Sequence, residues 1–250
     1  MAKQLGITKL GGTIGDITFY KSKDGMMARQ KLSVSSNRLS DPAFARVKEN
    51  TLEFGRAGKA GKVLRAAFSK LLSKSADGRV TSRLVQAIMK VQKTDTTSMR
   101  GERNMGNGDA SLLKGFNFNV KSPLSTVLSE QYTTAINRVT GVVSVSIPAY
   151  IPQDAISAPE GTTHIKLISA ASVIDFLNEN YQSVYASSAA IVYGTQQEAL
   201  LTLTHNLPAN STDPLFLVLG VEFYQNFNGT LYQLKTGSFN ALSIIAVDVN

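Results

Sequence analysis

"PLFLVLGVEFYQNFNGTLYQL", residues 214–234, decides the fold. Its first half, Leu215–Val221, is apolar at both parities. A strand with one wet face does not tolerate that, so the run predicts a central strand covered on both sides. Further on, Val221 and Phe223 face the same way along an extended chain. Asn228-Gly229 then supplies the turn before Leu231.

Working outward, β-branched or aromatic runs fill residues 115–250. "FNFNV", "VVSVSI", "THIKLISAASVIDF", "YQSVYASSAAIVY", "EALLTLTHNL" and "ALSIIAVDV" are separated by Gly, Pro, Asn and Asp. Such a series without long intervening helices predicts a C-terminal antiparallel β-sandwich of Ig-like type. Residues 123–137, "PLSTVLSEQYTTAIN", also read as a short helix, and the pattern leaves the two open.

The first hundred residues differ. Residues 11–34 predict an N-terminal β-hairpin, with Ile14, Ile17 and Phe19 on one extended run, Met27 and Arg29 on the next, and "KSKDG" as the turn. Gly25 is free to take positive φ there, while Gly11, Gly12 and Gly15 suit a bend or a close backbone approach. A lone hairpin is marginal in water, so this arm must pack on the rest of the chain or on a neighbour. A helix follows from Pro42, capped by Ser40 or Asp41, with Phe44, Val47, Thr51 and Phe54 at helical spacing. Val63/Leu64, Ala67/Phe68 and Leu71/Leu72 continue the period, and Val80, Leu84, Ile88 and Val91 restart it. Residues 94–115 have no period and read as a linker or a long ordered loop. The fold class is therefore α+β: a basic hairpin and helical region at 1–100, a linker at 101–114, and a β-domain at 115–250.

Between the helical stripes lies "EFGRAGKAGKVLR", residues 53–65. It is not a phosphate loop, because Val63 follows Gly61-Lys62 and Arg56 stands where the first glycine belongs. Each glycine costs about 1 kcal/mol inside a helix, so propensity favours a tight corner between a helix ending near Phe54 and one starting near Lys62. A continuous helix with a closely approaching neighbour is the alternative. Arg56, Lys59, Lys62, Arg65 and Lys70 form a candidate contact for phosphates or for acidic protein surface. No aromatic interleaves the stretch, so base stacking is unsupported.

Charge is segregated along the chain. Residues 1–100 carry 20 Lys+Arg against 7 Asp+Glu, and residues 101–250 carry 6 against 11. That asymmetry predicts attraction between copies, or attraction to nucleic acid, with a solvated cationic face as the plain alternative. The chain has no cysteine, which excludes thiolate chemistry. Its two histidines, His164 and His205, lack ligand-spaced partners and read as polar-face strand residues. Asp175 and Glu179 read as solvated loop acids rather than a cation site. Nothing in the pattern calls for an enzyme, a metal or a cofactor. The N-terminus lacks a secretion-signal core and no apolar run reaches membrane-spanning length, which predicts cytoplasmic synthesis. Release or export within an extracellular assembly stays open.

Three stretches, "GGTIGDITFYKSKDG", "DPAFARVKENTLEFGRAGKAGKVLR" and "GVEFYQNFNGTLYQLKTGSFNALSIIAVDV", resemble a family of Bacteroidota proteins without an established activity. The resemblance implies the same two-part build and brings no catalytic residues. The expected function is a self-associating structural protein forming a filament, tube, shell or phage-like particle. In it Gly11–Arg29 docks on a neighbouring copy. A nucleic-acid-associated protein using the basic half is the alternative, and a carbohydrate- or ligand-binding sandwich the third.

Overall fold

Strands β7 (His164–Asp175) and β11 (Leu215–Phe227) run antiparallel through the middle of the larger unit, paired from Leu215–Val173 to Tyr224–His164. The computed structural model describes residues 2–4, 8–31, 41–234 and 239–249. Around the central pair, β8 (Asn180–Ser187) and the short β9 (Ile191–Val192) pair with β7. The opposite edge of β11 is shared by β12 (Thr230–Gln233) and β13 (Ala241–Asp248). The expected turn joins β11 to β12, with Asn228 at φ 50° and Gly229 at φ 80°.

Both faces of this six-stranded sheet are apolar, and they are covered differently. Ile168, Ala170 and Ile174 of β7, with Phe216 and Val218 of β11, meet the helices. The alternate residues, Leu167 and Val173 with Leu217, Leu219, Val221 and Phe223, meet a small three-stranded sheet ordered β10–β6–β5. That sheet comprises β5 (Thr133–Asn137), β6 (Val142–Ile147) and β10 (Leu201–Asn206), and supplies Val143, Val145, Ile147 and Leu203. In β13 the register slips by one residue opposite Leu217/Val218, and Ile245 and Ala246 both join the small-sheet side, as a bulge requires. The C-terminal part is thus an open, curled sheet between helices and a smaller sheet. A closed Ig-like sandwich does not form, because a sandwich turns its outer faces to water and this sheet has no polar face to turn.

The helices are α1 (Ala45–Ala67), α2 (Ser69–Ser75) and α3 (Val80–Gln92). Asp41 provides the start, accepting from the Ala43 N–H at 2.8 Å across a 3-10 turn at Pro42–Phe44, while Ser40 lies outside the described residues. The residues expected on the inner face of α2 and α3 are buried. Residues 123–137 hold both alternatives, a single helical turn α4 (Leu124–Val127) and then β5. A further turn, α5 (Pro152–Ala155), precedes β7.

The expected corner at residues 55–61 is not there: α1 runs straight through it. Tertiary packing overrides propensity at Gly61, where an added Cβ would stand 3.5 Å from Ile88 Cδ1 and 3.6 Å from Val85 Cγ2 of α3. The small residue lets the two helices approach. Nothing lies within 4 Å of a Cβ at Gly55 or Gly58.

The chain separates into two compact units, Met1–Lys48 and Glu49–Asn250, with α1 spanning the division. Residues 101–114, expected as a linker, belong within the second unit. Met105, Ala110 and Leu113 are buried in the helix-side core. Ahead of them, Asp95 accepts from the Thr97, Ser98 and Asn104 N–H groups. Burial pushes the Asp95 carboxyl up, but the hydrogen bonds from Ser98, Thr97 and Asn104 outweigh it and hold the group well below the usual carboxylate range.

The first unit is a four-stranded antiparallel sheet, β1–β4–β3–β2, rather than a single hairpin. Gly15, at φ 56°, turns β2 (Gly12–Ile14) into β3 (Ile17–Ser22), and Gly25 opens β4 (Gly25–Gln30) at φ 113°. β1 (Ala2–Lys3) pairs with β4.

Since Gly55 and Gly58 sit in helix with free space around them, Gly55→Ala and Gly58→Ala should each stabilise the protein by about 0.5–1 kcal/mol. For a unit of this size that is a rise in Tm of roughly 2–4 °C per kcal/mol in a thermal melt. A lowered Tm would show that these glycines meet another chain.

Candidate functional site

The residues expected to form an assembly arm all fall on or beside the N-terminal sheet. Gly11 precedes β2, Gly12 opens it, Ile17 and Phe19 lie on β3, and Gly25 and Arg29 lie on β4. None of the described residues from 2 to 48 is buried. Ile14 is 61% exposed and Ile17 45%. These two, with Ala2 and Ala28, line a groove of about 660 Å³ whose polar lining is Asp16, Arg29 and Gln30. On α1, Val47 and Phe54 of the helically spaced stripe are also exposed, Phe54 by 60%. Facing the core in their place are Glu53 and Ala57.

The side chains of the basic stretch have different partners. Glu53 accepts the Gly101 N–H at 2.8 Å while the Arg56 guanidinium donates to the Gly101 carbonyl, so α1 holds both backbone groups of one residue of the 94–115 loop. Lys59 lies 3.6 Å from Glu179. Arg65 donates to the Gly61 carbonyl one turn back, and Lys62 is exposed. Lys70 belongs elsewhere.

Lys70 lines a cleft of about 390 Å³ between α2 and the helix-side face of the large sheet. β11 is apolar on that face except for Glu222, which is almost fully buried. Its carboxylate accepts from Lys74 Nζ at 2.9 Å and from the Tyr224 hydroxyl at 2.5 Å. Burial and the adjoining carboxylate together push the Tyr224 phenol up, so it stays protonated and donates. Lys166 of β7 lies over the Tyr224 ring, 5.3 Å from its centroid, and Lys70 lies over the Tyr185 ring at 4.9 Å. Tyr185 is fixed in turn, its hydroxyl donating at 2.5 Å to the Ala67 carbonyl at the end of α1, where helical carbonyls lack partners.

The cleft was not singled out by sequence reasoning. Its residues come from α2, β7, β8 and β11, far apart in the chain. One signal was visible: a glutamate in a strand read as covered on both faces needs a cation beside it.

Asp175 is spent locally, accepting from the Leu177 and Asn178 N–H groups, and Glu179 meets Lys59. Among the described residues no three His, Asp or Glu side chains converge as a metal site would need. No helix among them is long and apolar enough to cross a membrane. Compared with known protein families and with curated proteins, the chain matches none.

His205 departs from its expected place on a polar face. It is wholly buried between the two sheets, its Nε2 2.9 Å from Ser169 Oγ, which donates to the Val218 carbonyl at 2.8 Å. The serine proton is thus engaged, so Nε2–H is the donor to Ser169 and the imidazole is neutral. With no acid behind the ring and no access, the pair holds the sheets together rather than activating a nucleophile.

Burial lowers the His205 pKa from 6.5 to about 4. Between those values the unfolded chain binds a proton that the native protein refuses. Stability is therefore complete above pH 6.5 and falls by about 3 kcal/mol as the pH drops through this window. Urea unfolding across the window should show that slope in the wild type and its loss in His205→Leu. An equal slope in both would assign it to other groups.

Proposed function

We propose that the protein is a non-catalytic, self-associating structural subunit whose N-terminal sheet docks on a second copy. The observation that carries this reading is a sheet without a buried residue. Ordering a residue costs about 1–2 kcal/mol in backbone entropy, and burial of apolar surface is the main term that offsets it. Among the described residues of Met1–Lys48, the unit does not supply that offset from a core of its own.

Two features support a copy of the same chain as the occupant. Residues 1–48 carry 9 Lys+Arg against 3 Asp+Glu, opposite in sign to the net charge of residues 101–250. Each copy also offers exposed apolar side chains on α1, Leu52 at 46% and Phe54 at 60%. An arm on one surface meeting a different surface of the next copy is a head-to-tail contact, which generates rings or open filaments. The resemblance to the Bacteroidota family implies only the two-part organisation of the chain, and the finished assembly would be cytoplasmic or released from the cell.

The test is the mass of nuclease-treated full-length protein by multi-angle light scattering, beside Ile14→Asp/Ile17→Asp. The wild type should form species larger than a monomer, and the double variant should run as a monomer with unchanged far-ultraviolet circular dichroism. A monomeric wild type at every concentration would sink the proposal. Large species that vanish on nuclease treatment would replace it with nucleic-acid binding through the basic half.

A further inference from the structure

We infer that the cleft between α2 and the large sheet is a binding site for a small polyanion of the phosphate class, such as a diphosphate group. Three ammonium groups, Lys70, Lys74 and Lys166, line it against the single carboxylate of Glu222. That leaves a surplus of two positive charges in a concave space of about 390 Å³, where low-dielectric walls concentrate the field. The lysines divide their roles. Lys74 is committed to Glu222, and this pair, with Tyr224, forms the floor.

Lys70 and Lys166 have no carboxylate partner among the described residues; each rests on a tyrosine face instead. A ring face attracts the charge of an ammonium without accepting all three of its N–H donors, so both cations are held in place with donors to spare. The tyrosines are themselves held, Tyr224 by Glu222 and Tyr185 by the Ala67 carbonyl. Positions fixed before binding lower the ordering cost that flexible lysines otherwise impose on anion recognition. Ser187 adds a hydroxyl to the lining, and Ile168, Leu71 and Ala186 suit an apolar portion of the same molecule. Every residue involved lies within Glu49–Asn250.

The experiment is calorimetric titration of the full-length protein with inorganic pyrophosphate at low and raised salt. It compares the wild type with Lys70→Gln, Lys166→Gln and, outside the cleft on α3, Lys90→Gln. One saturable site is expected in the wild type. Loss of a charge-assisted contact should weaken it about tenfold in each cleft variant. The Lys90→Gln affinity should stay within about twofold, as expected for a distant exposed charge. Thermal melts at wild-type Tm establish that the variants fold, since neither cleft lysine is buried. Absence of saturable binding to the wild type would overturn the inference. So would cleft variants that bind like the wild type, or a loss in Lys90→Gln equal to theirs, which marks diffuse attraction to a basic surface.

Discussion

The double-sided burial of β7 and β11 is the constraint on which the rest of the larger unit depends. A strand apolar at both parities cannot lie on a solvated sheet, and two of them side by side need two covering layers. The helices supply one and the β5–β6–β10 sheet the other. With each fully buried Leu, Val or Phe worth about 1.5–3 kcal/mol, the central pair gives both layers reason to stay. It also sets the terms for the polar groups these strands carry. Ser169 is tied to His205 and Val218, and Glu222 to Lys74 and Tyr224, because a buried polar group without a hydrogen bond is costly and an unpartnered charge at that depth costs several kcal/mol.

The N-terminal sheet obeys the opposite condition. Its strands are short, its glycines take turn conformations, and Ile14 and Ile17 are left in water. An apolar face in that position is an interaction surface or a liability, and edge strands such as β1 and β2 add unpaired backbone groups to it. The assembly reading follows from this contrast between a unit with two filled layers and a unit with none.

How much was legible in the sequence depended on whether the deciding information was local. The parity of 214–234 and the Asn228-Gly229 turn are local, and both appear in the structure as read. The stripes of α2 and α3 are equally local. The continuity of α1 is not, since propensity charges a cost to every glycine while the reason for Gly61 is its approach to Val85 and Ile88 on α3. The open sheet was missed for a related reason. Alternation locates strands, but only the partner layers show that one sheet is large and the other small. His205 was assigned to a polar face because a histidine in an alternating strand is usually wet; Ser169, 36 positions away, makes its burial tolerable. The cleft shares this non-local origin, with Glu222 its one readable trace.

The charge of the first hundred residues, read as a single basic field, is held in different ways once the structure is in view. Arg56, Arg65 and Arg83 donate to backbone oxygen, while Arg100 pairs with Glu49 and Arg29 lies over the Tyr20 ring. Arg56 holds Gly101, and Arg83 donates to the Asn117 and Phe118 carbonyls while pairing with Asp77. Farther along, Arg138 ties Ser211, Asp213 and Asp248 together at the β5–β6 turn. The planar fork of the guanidinium suits such bridging, and an arginine so engaged keeps its charge while its donors are taken. Lysines are point charges on flexible stems, and two of those in the cleft rest on rings rather than on acceptors. Arg56 and Arg83 therefore add to the long-range attraction for an anion, and Lys70 and Lys166 retain the hydrogen-bond donors with which to hold it.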